Sequence, residues 1–482
     1  MRNFSSKMKP YKILVFIIST VAILATICYL FPKDGIEVVG RHLFFPTIDE
    51  VIGIKQTKSA AEKMAELEVS IKIQVQQDSI HRAKEEARQD SIRFYHNFFE
   101  THQARFYLPQ NDYSFFNELF TAMENSKNEK ATVHILHYGD SQIEEDRISS
   151  TFRQRLQEKF GGRGVGLLPI MQPIPSASVS QSASGGLERF ILAGMHKAKA
   201  QSNRYGVLAQ CATLAGSGSI NIRSQNYNRT YESVKSWREV RLFVIRNSTP
   251  FRAKLTSGNY TKELVIDSAQ AEGKELLWSL PEEVKKIQIS FSGSAELSAV
   301  SLEDRYGVNV DNVPIRGASG TFFTQIDKQS MRFATNNLNI RLIILEFGGN
   351  MMPSLTKNSL PQYTEQLARQ IKYFQELCPN AKVLLIGPAD MSTKVKGSLQ
   401  TYPIMEETLE AMKQCAYSCG AAFWNMYEVM GGKNSMIDWV EARPSLAAPD
   451  YIHFTPKGAE KIGEMLFESL WNYYEYYKMH IK

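Results

Sequence analysis

The sequence predicts an α/β protein built on a parallel sheet, with an inserted β domain and an N-terminal transmembrane helix. One observation supports each of these three parts. Short apolar strands alternate with longer helices through the second half of the chain. A run of short strand-like segments interrupts the alternation between residues 180 and 311. One uncharged apolar segment near the N-terminus is long enough to cross a membrane. Strands and helices that alternate in this way are typical of a parallel sheet covered by helices on both faces.

The alternation can be followed along the chain. A strand at residues 133–136 comes after a helix near residues 115–122. Beyond residue 350 the pattern predicts helix, strand, helix, strand and helix, at residues 362–377, 382–386, 404–417, 421–424 and 456–473. Chemically reactive residues directly follow several strands, which is where open α/β sheets bind their ligands.

The interrupting region has the pattern of an antiparallel β domain. Its segments are short, strand-like and separated by Ser, Asn, Gly and Pro, at residues 239–246, 251–255, 263–266, 275–278 and 284–291. This pattern is typical of a β-sandwich or jelly roll. We therefore expect an inserted β-sandwich domain over residues 180–311.

The N-terminal region predicts a membrane anchor followed by a stalk. Residues 13–31 carry no charge and follow four basic residues, a flank that stays in the cytoplasm. We expect residues 1–12 to be a cytoplasmic tail, residues 13–31 a transmembrane anchor and residues 32–105 a linker and charged helical stalk. A cleaved signal peptide is the alternative, although no Ala-x-Ala site follows the apolar run.

The overall composition argues against several functional classes. The net charge is +6, and no basic run is interleaved with aromatic residues, so nucleic-acid binding is not supported. The five cysteines are too few and too scattered for a disulfide framework. No spacing of His, Cys and carboxylate residues predicts a metal site. We therefore expect neither a metal nor another cofactor.

Four short motifs carry reactive residues. Gly139-Asp140-Ser141 ends the first strand, and Ile-Arg-Gly-Ala-Ser-Gly occupies residues 315–320. Leu-Glu-Phe-Gly-Gly-Asn ends at Asn350, and Asp-Tyr-Ile-His occupies residues 450–453. A lone Gly-Asp-Ser is common in turns, but the four together are far more specific. The set resembles the SGNH/GDSL hydrolase superfamily, over residues 133–470.

The resemblance implies a three-layer, flavodoxin-like α/β fold of SGNH type. Insertions that resemble carbohydrate-binding modules occur in the peptidoglycan O-acetylesterases of this superfamily. The segments Phe-Gly-Gly-Arg-Gly-Val-Gly at residues 160–166 and Met-Gly-Gly at 430–432, with Trp439, also resemble that subgroup. We expect the catalytic domain to comprise residues 106–179 and 312–482.

The chemistry of ester hydrolysis explains the residue types at three positions. A serine hydroxyl is a poor nucleophile until a neighbouring base removes its proton, so Ser141 requires an imidazole. His453 is the candidate base. Asp450 is placed to hold the second ring nitrogen and to stabilise the imidazolium. The predicted catalytic residues are therefore Ser141, His453 and Asp450.

The resemblance also implies an oxyanion hole. Its expected donors are the backbone N–H groups of Ser141 and Gly320 and the side-chain amide of Asn350, with Gly317 as the rival glycine. Many members of the superfamily have aspartate directly after the asparagine, whereas this chain has Met351. No acidic role is therefore carried over to that position.

Other polar residues near Ser141 are expected to be structural. His134 and His137 lie on opposite faces of the first strand, because side chains alternate along a strand. Glu144, Glu145 and Asp146 are interpreted as the first turn of a helix, where carboxylates complement the helix dipole.

The sequence therefore predicts a membrane-anchored serine esterase outside the cytoplasm, in the periplasm or at the cell surface. Its expected substrates are O-acetyl groups of peptidoglycan or another envelope glycan. Its expected partners are that glycan and the membrane, and no nucleic acid. Two alternatives stay open, an O-acetyltransferase of the same fold and a non-catalytic glycan-binding envelope protein.

Overall fold

A computed structural model describes residues 9–32, 35–38, 41–43, 46, 51 and 60–481. The chain divides into two compact units, Met1–Arg88 and Gln89–Lys482.

The following element names are used. The helices are α1 (Pro10–Leu30), α2 (Ala60–Thr101), α3 (Asn117–Glu129), α4 (Ser149–Phe160), α5 (Lys328–Asn337), α6 (Leu360–Leu377), α7 (Met405–Ser418), α8 (Met426–Met430), α9 (Ser435–Glu441) and α10 (Pro456–Ile481). The strands are β1 (Ile36–Val38), β2 (Arg41–Leu43), β3 (Phe106–Tyr107), β4 (Thr132–Gly139), β5 (Gly166–Leu168), β6 (Val179–Ile191), β7 (Gln210–Ser224), β8 (Trp237–Asn247), β9 (Phe251–Ser257), β10 (Tyr260–Ile266), β11 (Lys274–Val284), β12 (Lys286–Glu303), β13 (Gly307–Pro314), β14 (Asn339–Glu346), β15 (Lys382–Ile386), β16 (Ser392–Val395), β17 (Ser398–Thr401) and β18 (Ala422–Trp424).

The N-terminal unit contains the apolar helix α1 and the antiparallel pair β1–β2. Within the described residues, α1 is the one helix long and apolar enough to cross a membrane, and none of its residues is buried. It is a candidate membrane anchor or signal sequence. The helix α2 has 42 residues and occupies most of the segment predicted as a charged stalk.

The C-terminal unit is built on a six-stranded sheet with the order β13-β4-β14-β15-β18-β3. The pairs from β13 to β18 are parallel, and β3 is an antiparallel edge strand. The α/β prediction is therefore confirmed, with the addition of that edge strand. All parallel strands end at the same edge of the sheet, which is where the four sequence motifs lie.

Side chains that alternate along the central strands separate two hydrophobic cores. On β4, Val133 and Ile135 belong to one core, whereas Leu136 and Tyr138 belong to the other. The first core is covered by residues of α3, α4 and α10, and the second by residues of α5, α6 and α7. The unit therefore has the three predicted layers of helix, sheet and helix.

The insertion is an antiparallel sheet with its own core. Eight strands, β5 to β12, form one hydrogen-bonded sheet. The long strand β12 pairs with β7 and β9 through its first half and with β8 and β5 near its end. Trp237 and Trp278 are fully buried in the core of this sheet. An antiparallel domain lies at the predicted place, but the β-sandwich is not confirmed.

The strand β13 crosses the boundary predicted between residues 311 and 312. Residues Gly307 to Pro314 pair in parallel with Thr132 to Gly139 of β4. Residues 307–311 therefore belong to the parallel sheet. The insertion sheet ends at Glu303 and begins before residue 180, with β5 and β6.

Candidate active site

A cleft of about 240 Å³ lies at the carboxyl edge of the parallel sheet. Its walls come from the segments that follow each of the five parallel strands, and also from the insertion. The lining residues are Asp140, Ser141, Gln142, Met195, Arg316, Gly317, Glu346, Phe347, Gly349, Asn350, Pro353, Pro388, Ala389, Met391, Met426, Ile452 and His453. This is the position at which open α/β sheets bind ligands.

Ser141, His453 and Asp450 form a connected line in this cleft. The Oγ of Ser141 lies 2.7 Å from Nε2 of His453. The Nδ1 of His453 lies 2.8 Å from Oδ2 of Asp450. The distances fit a hydroxyl that donates to Nε2 and an Nδ1–H that donates to the carboxylate. Ser141 and His453 are 312 positions apart in the sequence. The structure thus brings together the three residues predicted to form the triad.

Asp450 also orders the segment that carries His453. Its Oδ1 accepts the backbone N–H groups of Ile452, at 2.9 Å, and of His453, at 3.0 Å. Partial burial opposes ionisation of Asp450, but the hydrogen bonds from His453 and Ile452 hold its pKa below the usual range. Its side chain is 47% exposed, so this carboxylate lies at the rim of the cleft and is partly open to solvent.

The segment after Ser141 is not the start of a helix. Residues Ser141–Asp146 form a short 3-10 segment that is interrupted at Glu144 and Glu145, and α4 begins at Ser149. Asp146 is buried and accepts two hydrogen bonds from Arg153, at 2.7 and 2.9 Å. The interpretation of Glu144 to Asp146 as dipole-stabilising residues is therefore wrong.

Asn350 is bound to Asp140, the residue that precedes Ser141. Its Nδ2 donates to Oδ2 of Asp140 at 2.8 Å and to the carbonyl of Ala318 at 3.1 Å. Burial raises the pKa of Asp140 to about 7, against the opposing hydrogen bonds from Gln142 and Asn350. Asn350 lines the cleft as predicted, and both of its amide hydrogens are taken by these two acceptors, so it can donate to an oxyanion only when one of these bonds opens.

The two candidate oxyanion glycines lie in different surroundings. Gly317 lines the cleft beside Met195, whereas Gly320 is buried against the ring of Phe347. A Cβ added at Gly320 would lie 2.6 Å from that ring, so packing explains why glycine occupies this position. The sequence-based preference for Gly320 is not supported by its position, and Gly317 is the better candidate.

Two side chains connect the nucleophile turn to the histidine segment. Gln142 Nε2 donates to the carbonyl of Ile452 at 2.6 Å, and its Oε1 accepts the N–H of Phe454 at 3.3 Å. Arg147 donates to the carbonyls of Ser141 at 2.9 Å and Phe454 at 3.1 Å. Sequence analysis missed both residues, because nothing local to their positions reveals a partner more than 300 residues away.

Three further lining residues were not predicted. Met195 comes from the insertion, and its side chain is 73% exposed. Its N–H donates to the carbonyl of Arg316 at 2.8 Å. Glu346 ends β14 and accepts a hydrogen bond from Nε2 of His137, at 2.9 Å. Arg316 and Glu346 lie inside the recognised motifs, which is the one signal that could have identified them.

The two histidines of β4 are structural, as expected. His137 lies between Glu346 and Ser149, with both ring nitrogens 2.9 Å from their partners. His134 is fully buried, 2.8 Å from Asp311 and 3.3 Å from Glu303. Burial disfavours its charged form, but the two carboxylates raise the pKa of His134 to about 9.

The fold and site together define a three-layer α/β protein with a Ser-His-Asp arrangement at the strand ends. The solved structure of a peptidoglycan O-acetylesterase matches this chain with a TM-score of 0.59 and 18% identity, covering 74% of this chain and 95% of that one. The resemblance predicted from the motifs is thereby confirmed at the level of the fold. No protein-family model and no curated protein sequence matches the chain.

Two other solved structures are more distant. A family two carbohydrate esterase from Clostridium thermocellum, in complex with cellohexaose, has a TM-score of 0.26 at 8% identity and covers 54% of this chain and 94% of its own. Est24, a carbohydrate acetylesterase from Sinorhizobium meliloti, has a TM-score of 0.25 at 14% identity and covers 34% of this chain and 78% of its own. Only the first structure supports the assignment of the fold.

Proposed function

We propose that this protein is a serine esterase that removes O-acetyl groups from peptidoglycan or another glycan of the cell envelope. The observation that carries this proposal is the line of contacts from Ser141 Oγ through His453 to Asp450, at 2.7 and 2.8 Å. The arrangement lies in an open cleft at the strand ends, where a substrate can reach the serine. The shared fold with a peptidoglycan O-acetylesterase supports the choice of ester.

The first half of the reaction forms an acetyl-enzyme. His453 Nε2 takes the proton of Ser141 while Oγ attacks the acetyl carbonyl carbon. The negative charge that develops on the carbonyl oxygen is stabilised by the N–H groups of Ser141 and Gly317 and by the amide of Asn350, which exchanges its longer bond to the carbonyl of Ala318 for one to the oxyanion. The intermediate then collapses, the bond to the sugar oxygen breaks, and His453 gives its proton to that oxygen.

The second half regenerates the enzyme. His453 takes a proton from water as the water oxygen attacks the acetyl-enzyme carbonyl, and acetate leaves as Ser141 recovers its proton. Asp450 holds the imidazole in the required tautomer throughout. No metal or cofactor takes part in these steps.

The walls of the cleft fit a small acyl group. The lining includes Pro353, Pro388 and Met391, which are apolar. A volume of about 240 Å³ accommodates an acetyl group and part of one sugar. This favours an acetyl ester over a lipid ester.

The location follows from the apolar helix α1, which would anchor the protein with its C-terminal unit outside the cytoplasm. The basic residues before this helix favour that orientation. Envelope glycans would then be directly accessible to the cleft.

Acetate release tests the proposal. Purified wild-type protein should release acetate from O-acetylated peptidoglycan or acetylated xylan, and Ser141→Ala should release none while its circular dichroism stays unchanged. Ser184→Ala is the matched control, because this exposed hydroxyl hydrogen-bonds to Ser219 within the insertion. Retention of near-normal acetate release by Ser141→Ala would exclude the serine mechanism.

The same assay separates hydrolysis from transfer. An acetyltransferase would pass the acetyl group to an added glycan acceptor and release acetate mainly in its absence. A glycan-binding protein without catalysis would release no acetate from any ester, which would reject the proposed function.

A further inference from the structure

Arg316 occupies a distinctive position in the cleft. Among the described residues, it is the one arginine or lysine that lines this cleft. It directly precedes Gly317, so its side chain begins one residue from the amide assigned to the oxyanion. Its carbonyl accepts the N–H of Met195 at 2.8 Å, which fixes the main chain at this point. Its side chain is 44% exposed. A cation therefore stands at the mouth of the cleft, close to the reacting ester.

The guanidinium of Arg316 has unused donor capacity. Its one ionic contact in the described chain joins Nη1 to Oε2 of Glu144 at 3.5 Å. Charge-assisted hydrogen bonds are shorter, about 2.7–2.9 Å. A guanidinium carries five N–H donors in a planar fork, which suits two parallel bonds to a carboxylate. Most of that fork is available to a ligand.

Glu144 contacts this guanidinium from the segment that follows Ser141. Its carboxylate is 5% exposed, and burial raises its pKa, while the charges of Arg316, Arg147 and His453 oppose that rise. The long contact orients the cation without consuming its donors.

Apart from His453, the other ionisable side chains described in the cleft are acidic, so the binding of an anionic substrate depends on Arg316. Asp140 and Glu346 also line the cleft and are buried beneath it. Glu346, and Asp140 in its ionised form, disfavour an anionic substrate, although burial raises the pKa of Asp140 to about 7. An anion that binds here therefore has to be paired with Arg316. A compact carboxylate fits the fork best and carries only one charge against these acidic groups.

We infer that Arg316 forms a carboxylate subsite, and that the O-acetylated sugar bears a carboxylate close to its ester. The inference rests on the proposed esterase function and narrows its substrate to acidic glycans. Two sugar chemistries supply such a group, a uronic acid and a muramic acid whose lactyl carboxyl carries no stem peptide. A neutral acetylated glycan lacks it.

The test compares acetate release from three polymers and one small ester. Acetylated xylan serves as the neutral polymer, and acetylated polygalacturonate supplies the uronate. The third polymer is O-acetylated peptidoglycan whose stem peptides have been removed by an amidase, which frees the lactyl carboxylate, and the small ester is 4-nitrophenyl acetate. Arg316→Gln should lower kcat/KM on the substrates that carry a carboxylate by about 10- to 100-fold, the usual range for hydrogen bonds to charged groups. Its activity on 4-nitrophenyl acetate and on neutral xylan should fall by a smaller factor that is the same for both, because the variant loses only the contact with Glu144 there. Arg316→Lys, which keeps the charge without the fork, should give an intermediate loss.

Arg252→Gln is the matched control, since Arg252 is 55% exposed and forms a 3.1 Å ion pair with Glu263 on the insertion. It should behave as wild type on all four substrates. A loss on the peptide-free peptidoglycan strands alone identifies the lactyl carboxylate, and a loss on polygalacturonate alone identifies the uronate. Equal losses on the neutral and acidic substrates would overturn the inference and assign Arg316 to support of the Gly317 turn. A wild-type protein that hydrolyses no ester would instead reject the proposed function.

Discussion

Gln142 holds His453 from both sides. Its side-chain amide donates to the carbonyl of Ile452 at 2.6 Å and accepts the N–H of Phe454 at 3.3 Å, so it pairs with the two neighbours of the histidine as a strand would. Gln142 directly follows the nucleophile Ser141. The register between the nucleophile turn and the histidine segment is therefore set by a residue that takes no part in the chemistry.

Gln142→Ala should lower kcat with little change in KM. Without the amide, the imidazole is free to shift relative to Ser141, and a misplacement of about 1 Å can cost about 100-fold in rate. Steady-state kinetics on a small acetyl ester measure this effect. Gln181→Ala is the control, because Gln181 makes two similar bonds to the carbonyls of Pro169 and Ile170 away from the cleft. A change confined to KM would contradict a positioning role.

Asp450→Asn should reduce kcat strongly through the wrong imidazole tautomer. Because Asn retains a side-chain oxygen for the N–H groups of Ile452 and His453, the segment should stay ordered. Asp450→Ala removes that acceptor as well and should also lower the melting temperature. The measurement is kcat together with thermal unfolding for both variants. If Asp450→Asn has wild-type kcat, the acid of the triad has been misassigned.

Asn350→Ala should lower kcat by about 100- to 1000-fold, which is the usual cost of removing one oxyanion donor. KM should change little, because the donor acts on charge that develops only in the transition state. Gly320→Ala should instead destabilise the fold, since its Cβ would collide with the ring of Phe347. If Asn350→Ala raises KM and leaves kcat unchanged, the amide acts in ground-state binding.

The sequence motifs identified Ser141, Asn350 and His453, which the structure brings to one cleft, while their catalytic roles stay predictions. The sequence analysis was less informative where contacts join distant segments. It favoured Gly320 over Gly317, and only their packing against Phe347 and Met195 separates the two. The acidic run at Glu144 to Asp146 looked like a helix start, but Glu145 and Asp146 adopt positive φ angles. Local charge patterns carry no information about such turns.

His134 should make the stability of the protein depend on pH in the alkaline range. The carboxylates of Asp311 and Glu303 raise its pKa from 6.5 to about 9. A group with a raised folded-state pKa contributes stability that is fully present below about pH 6.5 and is lost as the pH rises through about 9. The contribution is on the order of 3 kcal/mol.

The measurement is the melting temperature of wild type and His134→Gln between pH 6 and pH 10. The difference between them should shrink as the pH rises, because the wild type loses the charged histidine. His102→Gln, a substitution at an exposed histidine, should show no such convergence. A constant difference across this range would show that His134 is not charged in the folded protein.

Met195 should determine activity on polymers more than on small esters. It lies in the insertion, lines the cleft and keeps 73% of its side chain exposed, so it presents an apolar surface to a bound sugar. A small ester requires only the triad and the oxyanion donors, whereas a polymer uses remote contacts to orient its ester. Met195→Ala should therefore lower kcat/KM on polymeric glycan by about 5- to 10-fold, as expected for the partial burial of one apolar side chain. Leu277→Ala, at an exposed apolar residue of the insertion away from the cleft, should have no effect. Equal losses on both substrates would mean that Met195 acts through its backbone hydrogen bond to Arg316. The insertion would then support the turn at Gly317 and take no part in glycan recognition.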